Sequence, residues 1–294
     1  LFASGEIGGG RNWIVFGPFA VQPSEFGKIV IIMFLAAYLT EHREVLTLPR
    51  HRLLWLKLPV LRFIAPLLLI WGIAILMFVV QRDLGSALLF FGIAVSMTYM
   101  ATGRKSYVAL AFAFFLGAAA LSYSFFSHVR VRFNIWLDPW SDPSGSAYQV
   151  VQSLFALGSG GVWGAGFAHG HPNLIPEVHT DFIFAVIGEE FGFVGMLVLV
   201  FCYGWLVWRA FSIGKQARDS GLMFSAYIAN GIGIWIGIQS FFNIGVNIGI
   251  LPTKGLTLPL MSYGGSAVAV MLVCVTLLLR IDYEDRKKMR GYQV

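Results

Sequence analysis

Long stretches without a charged residue constrain this chain more than any other feature. Each is mostly apolar and close to the roughly 20 residues that a helix needs to cross the hydrocarbon core of a membrane. A shorter stretch reaches that length if its helix starts near Gln22 and includes Glu25 and Lys28. We therefore predict seven spanning helices, in or near residues 22–40, 63–80, 84–103, 106–127, 182–208, 220–253 and 255–279.

The composition also favours a membrane protein. Charged residues make up 12% of the 294 residues and hydrophobic residues 57%, whereas soluble domains average roughly 25% charged residues. A soluble enzyme, a nucleic-acid-binding protein and a disulfide-stapled secreted module are therefore disfavoured. The predicted fold class is an all-α polytopic membrane protein with about seven transmembrane helices here, forming a single transmembrane domain over residues 1–294.

Lysine and arginine predict the orientation of the chain. If successive connections alternate between the two sides, 15 of the 21 Lys and Arg residues fall on one side and six on the other. By the positive-inside rule the richer side is cytoplasmic, which places the C-terminus inside. The chain starts at Leu1 and its odd number of spans starts outside, so we expect further helices to precede it in the complete protein.

The connection over residues 128–181 is predicted to lie on the extracytoplasmic side. It is far longer than ordinary loops, and loops of this length are usually either functional or disordered. Its many aromatic residues favour a structured element. The segment Tyr148–Leu157 is apolar but too short to span, which indicates an interfacial or re-entrant helix.

Ionisable residues cluster on the same side or at its membrane boundary. Glu25 and Lys28 are three residues apart and can pair on one helical face, so a structural ion pair and a substrate role are equally favoured. Ser24 is a predicted N-cap of that helix. The polar link at Arg82 and Asp83 is best explained as a surface turn whose charges satisfy each other.

A helix that starts near Asp181 carries two further carboxylates. Asp181 then lies at the interface, with Glu189 and Glu190 about 12–13 Å further along at 1.5 Å per residue. Carboxylates inside a membrane are costly, so a functional role is the default interpretation. Burial against the polar groups of another helix is the alternative.

Two other patterns in this region are weaker signals. His169, His171 and His179 lie near acidic residues, but they lack the helical spacing that places two zinc ligands on one face, so a histidine-ligated metal is disfavoured. The glycine-rich run over 158–166 lacks the Lys-Ser/Thr of a phosphate-binding loop, and is predicted to form a sharp turn. The run over 262–266 indicates either close helix packing or a broken helix.

Five ordered segments resemble the SEDS family (shape, elongation, division and sporulation), which includes the FtsW, RodA and SpoVE proteins. The resemblance covers nearly the whole chain. The segments are RNWIVFGPFAVQPSEFGK (11–28), QRDLGSAL (81–88), DPWSDPSGSAYQVVQS (138–153), IPEVHTDFIFAVIGEEFGFVG (175–195) and GILPTKGLTLPLMSYGGSA (249–267). The resemblance implies a fold of ten spanning helices, three of which would precede this chain.

What the resemblance implies is polymerisation of lipid II, the undecaprenyl-diphosphate disaccharide-pentapeptide precursor of peptidoglycan, with a class B penicillin-binding protein as transpeptidase partner. The family's catalytic aspartate lies in a motif that reads His179-Thr180-Asp181-Phe182 here. Diphosphate is a good leaving group, so the reaction needs a base for the attacking hydroxyl and positive charge for the departing diphosphate. A divalent cation, Mg²⁺ or Mn²⁺, could share the second task.

The ionisable residues and the family resemblance together define the predicted site. Asp181 is the predicted catalytic base, and Glu189 and Glu190 are predicted intramembrane support. The residues predicted to bind substrate are Arg11, Glu25, Lys28, Arg130, Arg132, Glu177, His179 and Lys254.

The subfamily and two rival functions stay open. Division-type members often carry a lysine where this chain reads Pro172-Asn173-Leu174-Ile175, whereas Asp138-Pro139-Trp140 is closer to division or sporulation members. A lipid II flippase would depend on Glu189 and Glu190, and a non-catalytic scaffold would tolerate substitution of Asp181. The enzyme is favoured because the densest polar chemistry lies at the outer interface.

Overall fold

The computed structural model describes the chain except residues 1–3, 8–9, 17–18, 48–50, 54–55, 59–60, 82–83, 177, 254 and 292–294. Of the residues that it does describe, those within 4–20 apart from 14, those within 51–61 and 75–84, and residue 128 are described by their backbone alone. By its internal contacts the chain divides into two compact units. The first comprises 1–116, 206–238 and 265–294, and the second comprises 117–205 and 239–264.

Seven helices of at least 19 residues occupy the positions of the seven predicted spans in the described chain. They are α1 (Pro23–Thr47), α2 (Leu61–Gln81), α3 (Leu84–Thr102), α4 (Lys105–Phe125), α7 (Ile183–Asp219), α8 (Met223–Asn247) and α9 (Gly265–Met289). Among the described residues, α3, α4, α7 and α9 are both long and apolar enough to cross a membrane. The predicted helical membrane fold is confirmed.

Helix α1 begins differently from the prediction. Pro23 is its first residue, a position where the missing N–H of proline costs nothing and its φ is already helical. The carbonyl of Gln22 accepts the amide of Glu25 at 3.1 Å, so the residue before the helix is Gln22. The Ser24 hydroxyl is buried with no hydrogen-bond partner among the described residues. The N-cap predicted at Ser24 is therefore wrong.

Five short strands in the first unit were not predicted. Strands β1 (Ser4–Ile7), β2 (Gly10–Phe16) and β3 (Phe19–Val21) form an antiparallel sheet in that order, with Ile14 opposite Val21. Strands β4 (His51–Leu53) and β5 (Leu56–Leu58) form a separate hairpin.

The long predicted connection is helical in the second unit. It contains α5 (Ser127–Leu137) and α6 (Tyr148–Gly160), with short 3₁₀ turns at Pro139–Ser141 and Pro172–Leu174. Helix α6 covers the segment predicted to form a short helix. A buried apolar cluster joins α6, the segment before α7 and the ends of α7 and α8; its members are Ala156, Ile175, Val178, Phe182, Ala185 and Val246. This cluster supports the backbone on which Asp181 stands.

Candidate active site

Asp181 lies just before helix α7, in a short turn over His179–Phe182. The carbonyl of Phe182 accepts the amide of Ala185 at 3.0 Å and so starts the helix. Phe182 is 3% exposed, and burial of a phenylalanine contributes about 1.5–3 kcal/mol. Asp181 itself is half-buried. The hydrophobic anchor at Phe182 thus places a carboxylate at the very start of α7.

Three successive carbonyls of this turn, at residues 179–181, accept hydrogen bonds from other segments of the same unit. The His179 carbonyl accepts the amide of Tyr263 at 2.8 Å. The Thr180 carbonyl accepts the hydroxyl of Ser262, which in turn accepts the amide of Leu258 at 2.7 Å. The backbone on either side of the Asp181 side chain is thereby held in one position.

The third carbonyl, that of Asp181, accepts two side-chain amides. Asn243 and Asn247 lie four residues apart on α8 and each donates Nδ2 to it at 2.9 Å. They are 2% and 0% exposed. Asn243 also donates to the Leu256 carbonyl at 2.6 Å, and Asn247 accepts the Ala185 amide at 3.1 Å. This contact was not predicted from the sequence, although two asparagines four residues apart in an uncharged span are a signal for it.

A close backbone approach lies beside the carboxylate of Asp181. Gly255 has φ +61°, and a Cβ on it would stand 3.5 Å from Asp181 Oδ2. The positive φ favours glycine at this position. The segment after α8 therefore runs next to the carboxylate, and Lys254, outside the described residues, is the neighbour of Gly255 in sequence.

Glu189, on α7, forms a hydrogen bond with the long connection over residues 128–181. It is 6% exposed, and its Oε1 accepts the backbone amide of His171 at 2.9 Å. Its Oε2 is buried with no hydrogen-bond partner among the described residues. Glu190 is half-buried. The polar partner of Glu189 is thus loop backbone, and not a polar group of a second helix, which was the predicted alternative to a functional role.

The other predicted site residues are spread over both units. Arg130 and Arg132 lie on α5 in the second unit, exposed and half-buried respectively. In the first unit, Lys28 Nζ contacts Glu25 Oε1 at 2.7 Å and lies 4.8 Å from the centre of the Trp235 ring. The predicted pairing of Glu25 with Lys28 is confirmed. Arg11 lies in β2, and its side chain, like Glu177, is outside the described residues.

A polar turn precedes α6 in the same connection. Asp142 Oδ2 accepts the amide of Ser146 at 2.8 Å and its hydroxyl at 2.9 Å. These hydrogen bonds, the one from the amide first, hold the pKa of the Asp142 carboxyl below its ordinary value. The turn therefore stabilises the charged form of this carboxylate, and it lies directly before α6.

Comparison with known proteins identifies relatives over the whole chain. The sequence profile of the family described as "Cell cycle protein", that of FtsW, RodA and SpoVE, matches residues 1–287. The probable peptidoglycan glycosyltransferase FtsW of Neisseria gonorrhoeae is 48% identical over 100% of this chain and 69% of its own length. The peptidoglycan glycosyltransferase RodA of Mycobacterium tuberculosis is 37% identical over 98% of this chain and 61% of its own length.

Solved structures have the same fold. A chain from a peptidoglycan synthase complex, described for its structural coordination of polymerization and crosslinking, matches with a TM-score of 0.75 at 29% identity over 97% of this chain and 76% of that one. The crystal structure of the rod shape determining protein RodA of Thermus thermophilus matches with a TM-score of 0.64 at 27% identity, over 100% of this chain and 74% of that one.

The fold and these relatives define a class, the membrane-embedded peptidoglycan glycosyltransferases. The chain belongs to the FtsW, RodA and SpoVE family. The family resemblance and the glycosyltransferase class inferred from the sequence are confirmed. The chain spans 69% and 61% of the lengths of the FtsW and RodA relatives described above.

Proposed function

We propose that the protein polymerises lipid II by an inverting glycosyl transfer. Asp181 takes the proton from the 4-hydroxyl of the acceptor's GlcNAc. The oxygen attacks C1 of the α-linked MurNAc at the end of the donor chain. The bond from C1 to the diphosphate oxygen breaks, its electron pair leaves with undecaprenyl diphosphate, and a β-1,4 bond forms.

The observation that carries this proposal is the held turn at residues 179–181. A general base is efficient when it is positioned before the substrate arrives, since no reorganisation is then needed in the transition state. Hydrogen bonds from Tyr263, Ser262 and the two asparagines hold the turn by its carbonyls. The Asp181 carboxylate on this held turn faces the Gly255 backbone, since a Cβ on Gly255 would stand 3.5 Å from Asp181 Oδ2.

Positive charge for the departing diphosphate is assigned to Arg130, Arg132, Lys254 and Arg11. Among the described residues of this set, the arginines of α5 belong to the same unit as Asp181. A planar guanidinium suits the purpose, because it binds two phosphate oxygens at once. Glu25, Lys28, Glu177 and His179 complete the proposed binding residues.

A divalent cation stays a prediction for this site. Among the described residues, no group of three His, Cys, Asp or Glu side chains converges as a metal site. Mg²⁺ needs only one or two carboxylates when substrate phosphates supply the remaining ligands. Asp181 fits that demand as a single carboxylate, and the step above depends on the protein's own groups.

The proposed partner is a class B penicillin-binding protein. The synthase complex that contains a structurally similar chain couples polymerization with crosslinking, and a transpeptidase would supply the crosslinking here. We further propose that Asp181 and the 128–181 connection face the extracytoplasmic side, where the polymer is needed.

The test is lipid II polymerisation in proteoliposomes by the complete protein with its transpeptidase partner blocked by a β-lactam. Wild type is compared with Asp181→Asn, which keeps the size of the side chain but removes the base. Asp219→Asn, an exposed carboxylate at the opposite end of α7, is the matched control. We expect glycan ladders from wild type and the control, and none from Asp181→Asn.

Three other outcomes contradict the proposal. Ladders from Asp181→Asn would remove this carboxylate from the reaction. An absence of ladders from all three folded proteins, with lipid II movement across the bilayer, would favour a flippase. A scaffold without activity would give neither ladders nor lipid II movement.

A further inference from the structure

Helix α7 is interrupted at Gly192, where a glycine-rich segment meets it. Gly192 has φ 66° and ψ −165°, a combination that is essentially restricted to glycine. A Cβ on Gly192 would stand 2.5 Å from the Val162 carbonyl oxygen. The segment Gly160–Ala168, which we call the wedge, therefore packs backbone against backbone at the interruption.

Four backbone hydrogen bonds join the wedge to α7. Two helix amides that the break deprives of their partners donate to wedge carbonyls, and two wedge amides donate to the freed helix carbonyls. The bonds are Phe193 N to Gly161 O at 2.9 Å, Val194 N to Val162 O at 3.2 Å, Ala165 N to Glu189 O at 2.8 Å and Gly166 N to Glu190 O at 3.1 Å. These backbone groups are thus satisfied within the protein, which is the condition for irregular backbone to lie at membrane depth.

The side chains of the wedge are apolar and point away from the protein. Val162, Trp163 and Phe167 are 57%, 79% and 75% exposed. Residues 148–168 contain no charged side chain. A cluster this apolar and this exposed indicates contact with lipid or with another protein.

The wedge is continuous with a membrane-facing surface. The Phe167 ring lies 6.1 Å from that of Phe191, the first residue of the uncharged stretch 191–208 of α7. Phe201, further along this stretch, is 73% exposed in a helix apolar enough to span a membrane. The apolar surface therefore extends without a charged break from the span onto the wedge.

The length of α7 sets the depth of the wedge. The stretch 191–208 covers about 27 Å at 1.5 Å per residue, close to the roughly 30 Å of a hydrocarbon core. The wedge pairs with Phe193 and Val194, in the first turn of that stretch. It thus lies at one edge of the hydrocarbon core, the level at which tryptophan is enriched in membrane proteins. Glu189 and Glu190 then lie at this boundary, shallower than the sequence argument placed them.

We propose that the wedge is an interfacial membrane anchor, with Val162, Trp163 and Phe167 inserted among lipid head groups and the adjoining acyl chains. The chain that leaves the wedge reaches His171, whose amide is held by Glu189, and continues to Asp181. The anchor therefore sets the height of the Asp181 turn above the bilayer. The inference depends on α7 spanning the membrane and is independent of the proposed reaction.

The test measures depth with nitroxide labels in proteoliposomes. The complete protein carries Cys202→Ser and Cys274→Ala, and single cysteines are introduced by Trp163→Cys, Phe201→Cys or Ser144→Cys. Oxygen concentrates in lipid, so frequent collisions of the label with oxygen show that it lies in the bilayer. Frequent collisions with a water-soluble nickel chelate show that the label lies in water. Phe201 is the lipid-facing control, and Ser144 is the water-facing control because it is exposed in a polar turn.

We expect the ratio of oxygen to nickel collisions at position 163 to be far above that at 144 and to approach that at 201. A ratio like that at 144 would show the wedge in water and overturn the proposal. Low collision rates with both reagents would show that another protein surface, such as a second copy, covers the wedge, and would also overturn it. Gel filtration of each labelled protein in detergent, compared with wild type, shows whether it is folded.

Discussion

Asn247 is fully buried, and its amide group has three backbone partners, one of which is the Asn243 carbonyl, which accepts its Nδ2 at 2.9 Å. Its Oδ1 accepts the Ala185 amide and its Nδ2 donates to the Asp181 carbonyl. Asn247→Asp keeps the size and the acceptor but loses the donor. The Asp181 carbonyl keeps its bond from Asn243 but loses the one from Asn247. A lost hydrogen bond of this kind costs about 0.5–1.5 kcal/mol, so we expect polymerisation to slow by up to roughly tenfold. Measurement of the initial rate at several pH values checks this.

The pH dependence of the rate of Asn247→Asp distinguishes an effect on the position of the Asp181 turn from unfolding of the protein. A protonated aspartate can donate to the Asp181 carbonyl again, so the rate of Asn247→Asp relative to wild type should rise as the pH falls. Asn230→Asp, a half-buried asparagine on the same helix beside Gly214, is the control. A wild-type rate for Asn247→Asp at neutral pH would show that this hydrogen bond does not matter.

The Glu25–Lys28 pair is a buried ion pair within α1. The side chains are 7% and 1% exposed and 2.7 Å apart. Loss of one partner leaves an uncompensated buried charge, and such changes cost about 3–5 kcal/mol. We therefore expect Glu25→Gln to lower the unfolding temperature in detergent strongly, and Glu25→Gln with Lys28→Met to restore much of it.

A more exposed ion pair with the same distance between its charged atoms is the control for that experiment. Arg280 and Glu284 are also 2.7 Å apart, but their side chains are 63% and 24% exposed. Solvent screens such pairs, which contribute about 0–1 kcal/mol, so Glu284→Gln should change stability little. Equal effects of the two Glu→Gln variants would show that burial does not determine the strength of the α1 pair.

At the scale of elements, α7 contains a predicted membrane span and an interruption of the helix at Gly192. Gly192→Ala would force a side chain into a glycine-only conformation, costing about 1–3 kcal/mol, and against the backbone of the wedge. We expect faster proteolysis within 160–168 and a lower unfolding temperature. Gly204→Ala in the same helix has open space around its Cβ, so it should be neutral or slightly stabilising. Similar behaviour of the two variants would argue against the wedge contact.

The long helices could be predicted from the sequence, whereas the strands could not. Each span is a local property, since about 20 successive residues suffice to show it. Strands β1 and β3, by contrast, are four and three residues long, and each depends on its pairing with β2. A short strand has little propensity that survives without its partner, so residues 4–21 were not predicted to form a sheet.

At the scale of the whole molecule, the distribution of Lys and Arg predicts the topology. An alkaline phosphatase fusion after Ser144 should be active, because the 128–181 connection is predicted to lie outside. A fusion after Arg290 should be inactive, because the C-terminal basic residues are predicted to lie inside. A green fluorescent protein at the second point should fluoresce. An inactive phosphatase after Ser144 with an active one after Arg290 would show that the predicted orientation is wrong and that Asp181 lies on the cytoplasmic side.

By itself, the sequence determined the membrane class, the position of each span, the Glu25–Lys28 pair and, through its family motifs, the choice of Asp181 as the predicted base. These depend on hydropathy, helical spacing and contiguous motifs. Only the tertiary structure showed what holds Asp181. Asn243, Asn247 and Ser262 bond to the 179–181 turn from 62, 66 and 82 residues away. Chain folding, and no local pattern, brings groups so distant in sequence into contact.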